Sequence, residues 1–192
     1  MKDLVESCLY NWLGYGNVNG DIWFIGTEEG GAEIWRNQTL TLEESLHLRK
    51  DYSISMNFKE VWEEKYKISL ETFKGPNVWR YMAAFSLSME DEEVNTKAIR
   101  NYVFLDKKLG QASSNHFLCE LLPLPKKSKN DIAPYQNIWP SIIDYYKEVL
   151  NRRFDLIRNT VIENQNIKLV IAYESMLVEK ILDYFGEQHE LI

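Results

Sequence analysis

The apolar run at residues 21–26 (DIWFIG) constrains the fold of this chain more than any other feature of its sequence. Four consecutive apolar residues that stop at a glycine are typical of a strand buried on both faces, as in a parallel sheet. Two further runs have the same character, at residues 116–122 (HFLCELL) and 167–173 (IKLVIAY). The second run stops at Pro123, because proline cannot continue a central strand. Helical patterns separate the runs, so the sequence predicts an α/β fold with right-handed crossovers.

Apolar residues recur at helical spacing in the segments around these strands. They predict helices at residues 2–13, 42–66, 77–89, 141–164 and 176–185. Gly14, Gly16 and Gly20 break the chain after the first helix, and residues 189–192 could open a fourth strand that the chain does not complete. We expect a single α/β domain over residues 1–192.

The composition is that of a globular protein. The chain has 192 residues, of which 45% are hydrophobic and 27% charged, which is enough to bury a core without disulfides or metals. A formal net charge of −7 argues against a protein that coats DNA or RNA, although it allows a local basic groove.

The cysteines and the apolar runs also indicate the compartment. Cys8 and Cys119 are far apart and have no CxxC spacing, so neither a disulfide framework nor a cysteine-held metal site is indicated. Asp3 and Glu6 interrupt the start of the chain, where a signal peptide is apolar, and no eighteen apolar residues run together. We expect a cytoplasmic protein with no membrane partner.

Two strand ends carry residues that could form a site, because ligands of parallel α/β sheets bind beyond the carboxyl ends of the strands. The glycine-rich turn after the first strand consists of Gly26, Thr27, Glu28, Glu29, Gly30 and Gly31. Its glycines permit tight turns and the close approach of a ligand. It is not a phosphate loop, since GxxxxGK[ST] and GxGxxG are absent and adjacent acids repel phosphate. The alternative is an ordinary strand-to-helix connection with two exposed acids.

Glu120 is the one acidic residue in the second apolar run. A buried carboxylate there must find donors or a metal, or become protonated; the alternative is a side chain that reaches solvent at the strand end. Trp35 follows the glycine turn, where it could stack on a planar ligand or serve in ordinary packing. The three histidines are scattered and no GxSxG motif is present, so a hydrolytic triad is not indicated.

Lys126, Lys127 and Lys129 form the best candidate for a basic groove. One interpretation is a contact with the phosphate backbone of a nucleic acid. The other is a solvated turn without function.

At the glycine-rich turn and the second strand, the sequence resembles the uracil-DNA glycosylase superfamily. In that superfamily the first strand ends in a motif of the type G-x-[ND]-P-G, and residues 26–30 (GTEEG) are similar to it in placement and in both framing glycines. Residues 115–124 (NHFLCELLPL) are similar to the single-strand-selective branch, where a strand ends N-L-x-P-L and the asparagine reads the base. The third strand is also similar, with Glu174 at the position of a terminal glycine.

The resemblance implies a three-layer α/β/α fold around a central parallel four-stranded sheet, with the fourth strand truncated. It implies hydrolysis, without a cofactor, of the N-glycosidic bond of a damaged or non-canonical base in DNA. Glu28 would orient or deprotonate the water, and Glu29 would lie beside it in the catalytic turn. The residues that would surround the base are Gly26, Thr27, Gly30, Gly31, Trp35, Asn115, Glu120 and Pro123.

The sequence departs from the family pattern at three points. Glu29 replaces the motif proline, Glu120 replaces the base-reading asparagine, and an H-P-S motif after a fourth strand is not present. Because ionised glutamate only accepts hydrogen bonds, Glu120 would suit a base that presents two donors, such as the N1 and N2 edge of guanine, or a protonated cytosine. The alternatives are a domain that binds a nucleobase, nucleotide or nucleic acid without cleaving it, a carboxylate metal site at Glu28, Glu29 and Glu120, and a structural or interaction role.

Overall fold

The computed structural model describes residues 1–173, and its strands form one mixed five-stranded sheet. The strands are β1 (Gly14–Gly16), β2 (Ile22–Glu28), β3 (Ser55–Met56), β4 (His116–Leu122) and β5 (Leu169–Ala172). They lie in the order β3-β1-β4-β2-β5. Strand β2 pairs in parallel with both β4 and β5, and β1 pairs in parallel with β3. Strand β1 runs antiparallel to β4.

The three strands predicted from the apolar runs are present, and they form the parallel group β4-β2-β5. The predicted parallel four-stranded sheet is wrong, because β1 and β3 extend the sheet and the pairing of β1 with β4 is antiparallel. Neither short strand has an apolar run that could predict it. Gly14 is required in β1, since a Cβ there would overlap the carbonyl oxygen of Leu118 on β4. A glycine that we interpreted as a chain break therefore permits close strand pairing.

The helices follow most of the predicted segments. They are α1 (Lys2–Tyr10), α2 (Ala32–Trp35), α3 (Leu42–Tyr52), α4 (Phe58–Glu60), α5 (Asn77–Met89), α6 (Thr96–Arg100) and α7 (Ile142–Glu163). Two π-helical turns, Val61–Lys65 and Asn101–Leu105, extend α4 and α6, and a short 3₁₀ turn spans Ala133–Tyr135. Within residues 1–173, no helix has both the length and the apolar character needed to cross a membrane.

One predicted helix is divided. The predicted helix at residues 42–66 ends at Tyr52, because Ser53 takes a positive φ of 57° and turns the chain into β3. The helical pattern resumes at Phe58. The helix predicted at residues 176–185 and the strand predicted at residues 189–192 lie outside the described residues.

Buried contacts connect the helices to the central strands. Phe24 of β2 meets Phe85 of α5 edge to face, with ring centroids 5.9 Å apart. Arg153 of α7 is fully buried and donates to the carbonyl oxygens of Leu121 and Trp12, each at 3.0 Å. A buried guanidinium needs such acceptors, so these bonds tie α7 and the end of α1 to β4. They support the strand ends where the candidate site lies.

Candidate functional site

A cavity of about 310 Å³ lies at the carboxyl ends of β2 and β4. The parallel register brings Gly26 opposite Glu120 and Glu28 opposite Leu122, so the glycine-rich turn and the end of the second strand lie side by side. We call this space the strand-end cavity. Its lining includes the predicted residues Thr27, Glu28, Glu29, Gly30, Gly31 and Glu120. The structure thus brings the two predicted strand ends together at one space.

Four aromatic rings form the opposite wall of the strand-end cavity, and we call them the aromatic wall: Phe58, Trp62, Phe73 and Trp79. Trp62 meets Trp79 edge to face at 5.0 Å and lies 4.8 Å from Phe73. Phe58 meets Trp79 at 5.0 Å with an angle of 87° between the rings. Such edge-to-face contacts are a preferred arrangement of aromatic rings, in which each ring restricts the orientation of its neighbours. Flat ligands stack on the faces of such rings or contact their edges.

The aromatic wall was missed in the sequence because its residues belong to three separate segments. Phe58 and Trp62 lie in α4 and the π-helical turn that extends it, Phe73 lies in the connection that follows, and Trp79 lies in the first turns of α5. Their spacing did give a signal, since Phe58, Trp62 and Tyr66 follow one another at intervals of four and lie on one face of a helix. Aromatic residues at this spacing more often pack in the protein core than line a ligand site.

Because Gly26 has no side chain, the side chains of Glu120 and Tyr173 occupy the space above its backbone. A Cβ built on Gly26 would lie 2.7 Å from Glu120 Oε2 and would overlap the hydroxyl group of Tyr173. The carboxylate of Glu120 and the phenol of Tyr173 therefore converge over the backbone of β2, and both line the cavity. Of the two interpretations of Glu120, the structure favours the carboxylate at a partly enclosed site over the solvated strand end.

Glu29 belongs to a buried ion network behind the cavity. Arg49 of α3 is fully buried, and its Nη1 lies 3.3 Å from Glu33 Oε1 while its Nη2 lies 3.7 Å from Glu29 Oε1. Ser45 donates to Glu33 Oε1 at 2.6 Å and also contacts Arg49. Glu33 is 0% exposed and the Glu29 side chain is 10% exposed, so two carboxylates share one cation away from bulk water.

The surroundings of Glu29 raise the pKa of its carboxyl group to about 7. Burial is the main cause and the negative charge of Glu33 adds to it, while Arg49 and the hydrogen bonds from Gly31 and Tyr15 act in the opposite direction. The hydroxyl groups of Tyr15 and Tyr66 lie 3.2 Å apart, and burial raises the pKa of both phenols. Both tyrosines are therefore protonated at neutral pH and provide a chain of donors that ends at Glu29.

Glu28 has a different environment from the one that we expected for a catalytic base. Lys126 Nζ donates to Glu28 Oε1 at 2.9 Å, and the Tyr146 hydroxyl donates to the same oxygen at 3.0 Å. The Lys126 ammonium also donates to the carbonyl oxygen of Lys129 at 2.8 Å. Both hydrogen bonds are made to Glu28 Oε1, so this oxygen is already occupied by two protein donors. Glu29 is therefore the better placed of the two predicted catalytic acids.

The three lysines that we predicted to contact the phosphate backbone of a nucleic acid do not form one exposed cluster. Lys126 is 2% exposed and pairs with Glu28, so its ammonium faces the protein interior and is not available to a phosphate. This differs from both sequence interpretations, because a lysine in a loop was expected to be solvated. Lys127 and Lys129 are exposed at the surface of the same loop.

Four predicted base-contacting residues are not among those that line the strand-end cavity: Gly26, described above, and Asn115, Pro123 and Trp35. Asn115 precedes β4 at its amino end, where its Oδ1 accepts from the backbone N–H of Asp21 at 3.1 Å. Pro123 is buried beyond the end of β4, and its carbonyl oxygen faces the Cys8 thiol at 3.6 Å. Trp35 packs at Gly31, where a Cβ would lie 2.9 Å from Trp35 Nε1. Asn115 thus lies at the end of β4 opposite to the cavity, whereas Glu120, at the position of the base-reading asparagine, lines it.

A larger groove of about 710 Å³ lies beside the carboxyl end of α7, lined mostly by polar side chains such as Asn19, Asn164 and Asn166. It contains a single carboxylate, Glu163, and no group of stacked aromatic rings. The strand-end cavity is smaller but combines shape, aromatic surface and several carboxylates at the strand ends where α/β proteins bind ligands. We therefore regard the strand-end cavity as the candidate site.

The carboxylates of the cavity are not arranged as a metal centre. Among the residues that the structure describes, no group of three or more His, Cys, Asp or Glu side chains could hold a metal ion. The alternative of a metal site at Glu28, Glu29 and Glu120 is therefore not supported. No protein family, no curated protein and no solved structure matches this chain.

Proposed function

We propose that this chain binds a nucleobase in the strand-end cavity and hydrolyses the N-glycosidic bond that joins the base to its sugar. The observation that carries the proposal is that an aromatic wall and the carboxylates of Glu29 and Glu120 line one partly enclosed cavity. The resemblance to the uracil-DNA glycosylase superfamily, with its three-layer fold, is part of this proposal. The parallel group β4-β2-β5 is compatible with that resemblance.

The size and surface of the cavity suit a single base. Its volume of about 310 Å³ is at the lower end of the range of small-ligand sites, about 300–1,000 Å³, which favours one flat ring system over a larger ligand. Trp62 and Trp79 provide surfaces for stacking or edge contacts. Glu120 provides acceptors for ring N–H groups at the strand end. A base would thus stack on the aromatic wall through its ring faces and donate hydrogen bonds to Glu120 from one edge.

Glu29 is the proposed general base. Hydrolysis breaks the bond between C1′ of the sugar and the base nitrogen, whose electron pair leaves with the base. Water oxygen forms the new bond to C1′, Glu29 accepts one water proton, and the departing base takes up a proton in return. A carboxyl group with a pKa of about 7 is suited to this exchange, since a general base works best when its pKa lies near the working pH.

A second candidate function is binding of a nucleobase without cleavage. The ion pair of Glu28 with Lys126 favours it, because the residue that the family motif assigns to water activation is neutralised here. In this case the aromatic wall and Glu120 have the same role, and Glu29 is a structural member of the ion network.

Incubation with single-stranded oligonucleotides that each carry one damaged or non-canonical base tests the proposal. We expect chromatography to detect the free base from at least one of them. Glu29→Gln should abolish release while binding is retained, and the exposed Glu43→Gln serves as the matched control with unchanged release. Saturable binding without release by the wild-type chain would favour the second candidate.

A further inference from the structure

The charge of the strand-end cavity is unbalanced at Glu29. Two carboxylates, Glu29 and Glu33, lie within 4 Å of the single guanidinium of Arg49. Glu33 has the shorter contact with Arg49 and Glu29 the longer one, so Glu29, which lines the cavity, is the less closely paired of the two carboxylates. Among the described residues that line the cavity there is no Lys, Arg or His. Burial already raises the pKa of the Glu29 carboxyl group to about 7, and a cation that enters the cavity would stabilise its ionised form.

The aromatic wall favours a cation as well. The π face of an aromatic ring attracts positive charge, and tryptophan does so most strongly. Arg36 already lies over Phe73, with its Cζ 4.7 Å from the ring centroid. Over the described part of the chain, no lysine or arginine lies over Trp62 or Trp79. No lysine or arginine of the described residues therefore competes with a positively charged ligand for these two indoles.

Two buried polar groups of residues that line the cavity have no hydrogen-bond partner among the described residues. The hydroxyl group of Thr27 and the indole N–H of Trp62 are buried, and neither has a hydrogen-bond partner within residues 1–173. The two residues are 2% and 4% exposed, respectively, and both line the cavity. Buried polar groups are almost always hydrogen-bonded, and a ligand that carries acceptors and donors on its ring edges would supply partners for these two. A simple alkylammonium ion has no acceptor for the Trp62 N–H group.

We infer that the base which enters the strand-end cavity is a positively charged purine, alkylated at a ring nitrogen, with guanine alkylated at N7 as the best fit. The inference rests on the proposed function and names the ligand class of the same site. The charged ring stacks against the aromatic wall and neutralises Glu29. The O6 and N7 side of the ring offers an acceptor, and its N1 and N2 edge offers two donors to a carboxylate such as Glu120.

The chemistry of an alkylated purine also suits this site. When the bond between C1′ and N9 breaks, the electron pair moves into a ring that already carries a positive charge, and the base leaves as a neutral molecule. Water oxygen then bonds to C1′ and its proton passes to Glu29. Departure of the base therefore needs no protonation from an acid, and the reaction requires only the water-activating group that the cavity provides.

Calorimetric titration of the full chain at neutral pH with 7-methylguanosine and with 7-methyl-7-deazaguanosine tests the inference. The second nucleoside has the same shape but a neutral ring. We expect 7-methylguanosine to bind about tenfold more tightly or better, because cation–π contacts and the charge of Glu29 act on it alone. Glu29→Gln should reduce that ratio toward one, whereas Glu43→Gln should leave it unchanged.

Each other outcome contradicts one part of the account. Equal affinity for the two nucleosides overturns the inference and leaves the proposed base binding intact. Absence of binding for both, and for a panel of unmodified nucleosides, overturns the proposed function itself. Displacement of 7-methylguanosine by tetramethylammonium at equal concentration overturns the assignment to a purine, because it indicates a cage for small organic cations. The comparison of two isosteric ligands needs no variant, so misfolding of Glu29→Gln does not affect it.

Discussion

Gly26 on β2 and Glu120 on β4 are register partners in neighbouring parallel strands, and the missing side chain of the glycine leaves the space into which the carboxylate extends. Tyr173, directly after β5, reaches the same space from the other neighbouring strand. Three parallel strands thus contribute one group each to a single point at the floor of the strand-end cavity. This convergence explains why a glycine, and not a larger apolar residue, interrupts the buried strand.

Gly26→Ala should weaken ligand binding and destabilise the fold moderately. The added methyl group would overlap the Tyr173 hydroxyl and lie 2.7 Å from Glu120 Oε2, so both side chains must move. Overpacking of this kind typically costs about 1–3 kcal/mol in the free energy of unfolding. Urea denaturation measures it, and Gly30→Ala is the control, because a Cβ at Gly30 meets no atom within 4 Å. Equal effects of the two substitutions would contradict the close packing at Gly26.

Arg49→Leu should be strongly destabilising. The substitution leaves Glu29 and Glu33 buried without their shared cation, and breaking a buried ion pair from one side typically costs about 3–5 kcal/mol. Adding Glu33→Gln to the variant should restore part of the loss. Thermal unfolding measures both effects, with Lys168→Ala as the control, since its ion pair with Asp21 is exposed to solvent and should contribute little. Failure of Glu33→Gln to restore stability would contradict the shared-cation arrangement.

The stability of the fold should depend on the ionisation of Glu29. Its pKa is raised from 4.5 to about 7 in the folded chain, so between these values the folded state binds more protons than the unfolded state. The free energy of unfolding should therefore fall as the pH rises through this window, by about 1–3 kcal/mol. Urea denaturation over that pH range should yield a flatter profile for Glu29→Gln. Parallel profiles for the variant and the wild-type chain would exclude Glu29 as the group responsible.

Lys126 and Lys127 should respond differently to substitution although they are neighbours. Lys126 is buried and pairs with Glu28, so Lys126→Ala leaves that carboxylate without its cation and should destabilise the chain by about 3 kcal/mol. Lys127 is exposed, and Lys127→Ala should leave the stability unchanged. Oligonucleotide binding is a separate property. If the loop contacts phosphate groups, Lys127→Ala should weaken oligonucleotide binding and reduce the salt dependence of that binding. Unfolding midpoints and filter binding at two salt concentrations separate these effects.

The central strands could be predicted from the sequence because β2 and β4 are continuous apolar runs with clear ends. Strand β1 could not, since GYG has no apolar run and pairs with β4 only because a glycine permits the close approach to Leu118. The division of the predicted helix at residues 42–66 depends on the positive φ of Ser53. Helical spacing continues on both sides of that residue, so periodicity alone does not locate the break.

The candidate site was predictable in its position and less so in its chemistry. The sequence rule for strand ends brought Glu28, Glu29 and Glu120 together correctly, since it depends only on the direction of the strands. The choice of partners depends on long-range contacts that no local pattern encodes. Arg49 comes from α3 to Glu29, and Lys126 comes from the loop after β4 to Glu28. The motif comparison assigned water activation to Glu28. Because Lys126 pairs with Glu28, we assign this role to Glu29 instead.

The central claim is that the strand-end cavity binds a nucleobase, and nucleoside titration followed by tryptophan fluorescence tests it most directly, because Trp62 and Trp79 line the cavity. The account predicts a saturable change for at least one nucleoside, which is weakened in Gly26→Ala and retained in the exposed control Glu43→Gln. A fluorescence signal that stays constant for every natural and alkylated nucleoside, together with unchanged melting temperatures, would contradict it.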